Sequence, residues 1–356
     1  VDVVEMTVVS EIPMKDHDEF AVGACPFCRG HDRAILHEDL EDVTFFTSVG
    51  AFPMWRCKEC DSAYLDPQPN DDVLRRAYEN YYTHNSIQNQ EPLSGGSISA
   101  LKKIISGGYR RWRYLGDRTM QARLAATIMR LFPTKRDATD FVYRYLPAIP
   151  GRLLDFGCGN GDFLHVARTL GWEAVGMDFD AAAVDTARAR GLEAYVGGVD
   201  ELRELPVSFD AITMAHVIEH VRAPLALIEA AHVALKPSGS LYLELPNINS
   251  IGHKIHGRHW RGLEAPRHLA FPSHYALRKA LIEGGFGQVR FHYRSRLFRR
   301  LYLRGMYQKS STIRAGLDPE GPAHMNAPLP AFRDRLRATF SPSSIEFLIV
   351  SAIKRA

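Results

Sequence analysis

Three groups of residues have the types and spacing to do chemistry. From Leu153 the chain reads Leu-Leu-Asp-Phe-Gly-Cys-Gly-Asn-Gly, which sets glycines at 157, 159 and 161 just after the carboxylate of Asp155. Glycines spaced in this way allow a tight turn and a close backbone approach to a ligand. Asp178 follows at the end of the next apolar run, in the stretch Val175 to Asp180. An acid about 20 residues past such a turn is placed to accept hydrogen bonds from both hydroxyls of a ribose, so the pair points to a bound nucleoside. A second group is rich in histidine: His216, Glu219 and His220 at i, i+3 and i+4, then His253, His256, His259 and His268. The third is two CxxC pairs, Cys25/Cys28 and Cys57/Cys60, with 28 residues between them. Paired knuckles of this kind read as four thiolate ligands of a closed structural Zn²⁺ site, with Gly30 letting the chain turn back under the metal. The fifth cysteine, Cys158, lies inside the glycine turn and reads as a small residue packed there.

The elements that must position these groups follow from periodicity. Apolar runs at Arg152–Phe156, Ala174–Asp178, Glu193–Val196, Phe209–Ala215, Ser240–Leu245, Gln288–Tyr293 and Ile345–Ala352 have strand length. Helical patterns at Gly161–Leu170, Ala181–Arg190 and Pro224–Leu235 separate the first of them, which predicts a parallel sheet with helices on both faces. Residues 21–82 are expected to form the cysteine module and a following helix over Asp71–Tyr82, capped by Asn70 or Asp71, with a β-prone stretch at Val43–Thr47. Residues 83–148 read as a polar linker leading into a basic helical segment, a plausible lid, and residues 1–20 as a tail. The main domain is expected over 149–356, with an insertion at about 297–341.

Composition sets the outer limits. With 46% hydrophobic and 24% charged residues, the 356-residue chain is ordinary for a globular protein with a main domain and an accessory unit. A formal charge of +3 does not by itself argue for nucleic acid or membrane. No stretch approaches the roughly 20 apolar residues of a spanning helix, and the start lacks the basic and apolar regions of a secretory leader, so a cytoplasmic enzyme is expected.

The segment from Leu153 to Gly161, with Asp178, resembles the class I S-adenosylmethionine-dependent methyltransferases, whose fold is a Rossmann-like seven-stranded sheet. The likeness continues through Phe209–Val221, Leu235–Asn247, Trp260, Pro266–His268 and Gly284–Phe286, over roughly 150–295, and the final strand fits 345–354. The resemblance implies S-adenosylmethionine as cofactor. Its methionine end would lie near Asp155, Gly157, Cys158, Gly159 and Gly161, and its ribose on Asp178 beside Phe179. Asp200 or its neighbouring backbone would flank adenine, and His216 would line the pocket. The cysteine module, with Trp55 to Pro69, looks like the zinc ribbon on bacterial methyltransferases of sugar and polysaccharide pathways.

On the acceptor side two readings stand. Either His216 lines the cofactor pocket while Glu219 and His220 orient the loop, or His216, Glu219 and His220 hold a second divalent metal with a later histidine, as in some O- and RNA-end methyltransferases with a similar Glu-His element. His268 is the expected general base, and Arg267 beside it is a candidate for an anionic acceptor group. The chain is similar to nucleotide-sugar C-methyltransferases but has Ala265 where they have a tyrosine and Arg267 where they have an acid. O-methylation of a small molecule, such as a nucleotide-linked or lipid-linked sugar, is therefore the expectation. An RNA acceptor fits less well, because Ala215 to His220 replaces the Asn/Asp-Pro-Pro-aromatic element of amine-methylating enzymes. A cofactor-binding scaffold without turnover is the non-enzymatic alternative. The stretch Arg294–Arg304, basic and apolar at helical spacing, is expected either to pack on the domain or to touch a membrane surface.

Overall fold

The computed structural model describes residues 19–42, 49–78, 97–292 and 344–355. The expected stretches at Val43–Thr47, Tyr81–Tyr82 and Arg294–Arg304, and the insertion at 297–341, lie outside them.

The chain begins with five short strands, β1 (Glu19–Phe20), β2 (Arg33–Leu40), β3 (Phe52–Cys57), β4 (Ala63–Leu65) and β5 (Gln68–Pro69), followed by helix α1 (Asp71–Tyr78). β2, β3 and β4 form an antiparallel meander, and β1 pairs with β5. The side chain of Asn70 accepts from Val73 N at 2.9 Å and caps α1, and Asp71 and Asp72 in its first turn suit the helix dipole.

The basic segment forms three helices, α2 (Ser97–Tyr114), α3 (Met120–Arg130) and α4 (Pro133–Val142). α2 and α3 approach closely because Gly108 has no side chain: a Cβ there would lie 2.6 Å from that of Ala125. The hydroxyls of Tyr109 and Tyr114 donate to Asp140, fixing α4 against α2.

Then come β6 (Arg152–Phe156), α5 (Asp162–Arg168), β7 (Glu173–Asp178), α6 (Ala181–Ala189), β8 (Glu193–Val196), α7 (Val199–Glu204), β9 (Phe209–Ala215), α8 (Pro224–Ala234), β10 (Leu235–Pro246) and α9 (Ile251–His256). The last elements are β11 (Ala270–Phe271), α10 (His274–Glu283), β12 (Phe286–His292) and β13 (Phe347–Lys354). Seven strands form one sheet in the order β12-β13-β10-β9-β6-β7-β8, parallel from β10 to β8, with β13 antiparallel to both its neighbours. This is the Rossmann-like methyltransferase sheet expected from the sequence. The central strands are apolar throughout because helices cover both faces. α7, α8 and α10 pack over Ile212, Leu243 and Val350 on one face, and α5 and α6 over Leu153, Ala174 and Ala211 on the other. Among the described residues no helix is long and apolar enough to cross a membrane.

The cysteine module does not stand apart. β11, from within the main domain, adds a fourth strand to the meander, pairing Ala270 with Tyr64 and Phe271 with Ala63. Phe52, Met54 and Leu65 share one core with Trp260, Leu269 and Phe271. Arg267 locks the joint. It is fully buried, its NH1 and NH2 donate to the two carboxylate oxygens of Asp42 at 2.8 and 2.9 Å, and NH1 also donates to the Ala77 carbonyl of α1. The expected role of Arg267 in holding an anionic acceptor is therefore corrected: its charge is already matched inside the protein. Removing one partner of a buried ion pair strands the other charge. Asp42→Asn should lower unfolding stability by about 3–5 kcal/mol, read by urea denaturation. A loss under about 1 kcal/mol, the range of an exposed pair, would show that the pair does not hold the joint.

Candidate functional site

A cavity of about 750 Å³ opens at the carboxyl ends of β6, β7 and β9, a volume suited to a cofactor of nucleoside size. One wall is the turn after β6. Gly157, Gly159 and Gly161 have φ of 78°, 52° and 82°, a region open to glycine at no steric cost. At Gly157 space is also limiting: a Cβ would lie 2.3 Å from Val217 Cγ2. At Gly159 a Cβ would meet nothing within 4 Å, so the backbone there borders open space. Gly161 serves another purpose, as the start of α5 against Leu192.

Asp178 ends β7 on the cavity wall. Its two carboxylate oxygens accept from Gly159 N at 2.8 Å and Asp180 N at 3.0 Å. Burial raises its pKa, against the lowering effect of those two amides. Phe179 lies beside it, 60% exposed and edge-on to Tyr78. Asp155 is fully buried below the turn. Its Oδ1 accepts from Thr213 Oγ1 at 2.8 Å and pairs with Arg144, whose guanidinium also stacks on Phe163. Asp155 Oδ2 is buried without a hydrogen-bond partner among the described residues. Burial raises the Asp155 pKa, with Arg144 and Thr213 opposing.

Four expected cofactor residues do not line the cavity: Asp155 and Gly161, described above, and Cys158 and Asp200. The Cys158 sulfur packs into the sheet against Gly176, and burial, reinforced by the charges of Asp155 and Asp178, holds its thiol well above the usual range. Asp200 points to solvent and pairs with Arg203, so it is the adjacent Gly197, Gly198 and Val199 that line the cavity.

The opposite wall follows β9. His216 adopts φ 57°, unusual for a residue with a side chain, and its amide donates to Glu244 O at 2.8 Å. Its ring lines the cavity, with Nδ1 3.3 Å from Glu219 Oε1 and Nε2 4.0 Å from Glu244 Oε1. Burial favours the neutral ring, but Glu219, Glu244 and Glu264 outweigh it and the pKa is raised. His220 also lines the cavity; its Nδ1 lies 2.7 Å from Tyr78 Oη and 3.1 Å from Arg267 O.

His268 is packed behind His220, ring centroids 4.6 Å apart, and its Nδ1 donates to Gly262 O at 2.8 Å. It is 4% exposed and does not line the cavity, so the expectation that His268 takes a proton from an acceptor there is not met by this geometry. Burial lowers both His220 and His268 to about 4 and keeps them neutral near pH 7. The histidine cluster also differs from the set expected for a second divalent metal. The ligand atoms that converge, within 4.8 Å of one another, belong to Glu219, His220 and His268, while His216 stands outside. Glu219 Oε2 is buried there without a hydrogen-bond partner among the described residues.

The four thiols of Cys25, Cys28, Cys57 and Cys60 converge within 4.8 Å, with Cys25–Cys60 at 3.6 Å and Cys28–Cys57 at 3.4 Å. These separations are far beyond the roughly 2.05 Å of a disulfide. They are near the roughly 3.8 Å between thiolates at the corners of a zinc tetrahedron. Nearby buried apolar groups, Phe27 and Tyr64 among them, close the site.

Several wall residues were missed by sequence reasoning. Leu74, Arg75 and Tyr78 of α1 line the cavity, so the helix after the cysteine module forms part of it. Arg144 is not among the residues the sequence singles out. Tyr78 could have been suspected from the aromatic cluster at 78–82, whereas nothing local singles out Arg144.

Residues 117–289 match the family described as a methyltransferase domain. The chain is 40% identical over 108 residues to the ubiquinone biosynthesis O-methyltransferase of Xanthomonas campestris pv. campestris, which covers 28% of this chain and 45% of the relative. It is 36% identical over 115 residues to the enzyme of the same name from Xanthomonas oryzae pv. oryzae, 30% of this chain and 48% of the relative. The chain thus spans less than half the length of these curated relatives. Among solved structures, similarity extends to phosphoethanolamine N-methyltransferase 2 of Haemonchus contortus (14% identity, 91% of this chain, 69% of that chain, TM-score 0.45). A SAM-dependent methyltransferase from Archaeoglobus fulgidus is also similar (17%, 69%, 98%, TM-score 0.42). The cysteine module and α1 lie before the matched region.

Titration with S-adenosylhomocysteine tests the cavity. Binding should be lost with Asp178→Ala and with Gly157→Arg, which fills the space under Val217. Equal affinity in wild type and both variants would place the nucleoside elsewhere.

Proposed function

We propose that the protein transfers a methyl group from S-adenosylmethionine to a hydroxyl of a small biosynthetic acceptor, with sugar and glycan hydroxyls the first class to test. The observation that carries this reading is the position of His216: a histidine held between two carboxylates shares one cavity with the glycine turn and Asp178. The names of the O-methyltransferase relatives support an oxygen acceptor.

When bound, S-adenosylmethionine supplies a methyl carbon made electrophilic by its sulfonium. Asp178 is oriented by two backbone amides to accept from the ribose hydroxyls. Phe179 and the 197–199 backbone flank adenine, and the backbone of Gly157 and Gly159 borders the methionine end. Leu74 and Tyr78, with Val217 and Val221, give the cavity an apolar rim that excludes water. His216 is the catalytic base. Its Nδ1–H donates to Glu219, which leaves Nε2 to take the hydroxyl proton, and the nearby Glu244 stabilises the imidazolium that forms. His216→Gln should lower kcat about 10²–10⁴-fold, the usual share of a general base, while S-adenosylhomocysteine affinity stays within a few-fold. A kcat within threefold of wild type would remove His216 from that role. Product analysis for an O-methyl group, starting with nucleotide sugars and following transfer of labelled methyl, tests the acceptor class.

The reading extends to the cysteines, which hold one zinc in a structural role, since four thiolates leave no coordination position open. Metal analysis should find one zinc per chain. Because α1 follows directly on the zinc module and lines the cavity, chelation should weaken S-adenosylhomocysteine binding as well as loosen the ribbon. A fully stripped protein that binds with unchanged affinity would separate the two sites.

A further inference from the structure

Helix α3 has two apolar faces. Ala122, Ala125, Ala126 and Met129 are buried, the last two against Tyr109 of α2. On the opposite side Met120 is 82% exposed, Leu124 59% and Leu131 76%. At 3.6 residues per turn these three, with Thr127 between them, fall within a sector of about 60°, directly across the helix from the buried alanines. Phe132, just past the helix end, extends the stripe and carries the ammonium of Lys135 over its ring at 4.9 Å. A helix in a water-soluble fold ordinarily keeps its outer face polar, so a continuous stripe of this kind marks a contact surface.

Charge says what the contact is with. Residues 103–149 hold ten Lys or Arg against three Asp and no Glu, a formal +7, while the whole chain is only +3. The segment that carries the stripe is therefore strongly basic, as is the stretch 294–337, while the rest of the chain is acidic. The side chains of Arg123 and Arg130 border one side of the stripe and make no ion pair or hydrogen bond among the described residues. Apolar side chains edged by unpaired arginines fit a membrane interface, where the methylenes enter the acyl boundary and the guanidiniums meet lipid phosphates. A single-stranded nucleic acid would instead call for aromatic platforms under its bases, and this stripe is aliphatic over most of its length.

We propose that α3 docks the protein on an anionic lipid surface, with Met120, Leu124, Leu131 and Phe132 inserted and Arg123 and Arg130 on the headgroups. The proposal is independent of the methyl-transfer reading.

The test is flotation of the full chain with vesicles of phosphatidylcholine alone or mixed with phosphatidylglycerol, at low and high salt. The protein should partition at least tenfold better onto the anionic vesicles and lose this at high salt. Two double variants, Leu124→Asp with Leu131→Asp and Arg123→Glu with Arg130→Glu, alter exposed positions only. Each should lose at least tenfold in partitioning while binding S-adenosylhomocysteine as wild type does. No partitioning of wild type, or partitioning that both variants retain, would overturn the proposal. So would single-stranded RNA binding that vanishes in the arginine variant without any vesicle binding, which would assign the surface to nucleic acid. A dimer in sedimentation that the aspartate variant dissociates, again without vesicle binding, would assign it to a second copy of the chain.

Discussion

A guanidinium sealed away from water has to find its hydrogen bonds within the protein, and Arg267 finds them on three separate parts of the chain. Asp42 lies in the cysteine module, Ala77 in the helix after it, and Arg267 itself in the loop that leads to β11. Those bonds form only when module, helix and main domain are in register. The same loop presents its Arg267 carbonyl to His220, so the position of the buried cation is passed directly to a residue on the cavity wall. As a contribution to stability such a pair ranks low beside well-packed apolar groups, but it discriminates sharply between one docking and another.

The cavity is a product of that docking. Its floor and one side belong to the parallel sheet, where the glycine turn and Asp178 would form in any fold of this type. Its remaining side comes from α1, through Tyr78, which touches both Phe179 and His220. The two carboxylates at the base of the site have different environments. Asp155 is partly neutralised by Arg144, whereas Asp178 is balanced only by amides and stays turned to the cavity. His216 is held by its backbone and its ring together: the left-handed turn fixes where the ring starts, and Glu219 fixes where it points.

How much of this could be read from the sequence depended on whether the cause was local. β6, β8 and β9 match their expected limits because each is a short apolar run ended by a glycine or a polar turn. Pro237 and Gly239 look like a turn, which places the expected start of β10 at Ser240. The strand begins at Leu235 and passes through that pair as an irregularity in its register with β9. The four cysteines and Asp178 were legible because their spacing carries their chemistry. His268 and Arg267 were not. A Pro-Arg-His sequence in a loop looks the same whether it faces a substrate or a buried acid 225 residues earlier in the chain, and only the tertiary fold decides. Arg144 escaped notice for a similar reason, since among many basic residues nothing marks the one whose backbone turns left-handed and brings it under Asp155.

The strand shared between β4 and β11 has a consequence in time. The meander of the cysteine module leaves the ribosome before the main domain, and its edge partner and the Trp260 side of its core are encoded roughly two hundred residues later. At about 5–20 residues per second the unfinished sheet waits on the order of 10–40 s with an open edge and a half-covered apolar face. Thiolates gathered around a metal would hold that early intermediate together through the wait. The module is then completed by a strand made long after it.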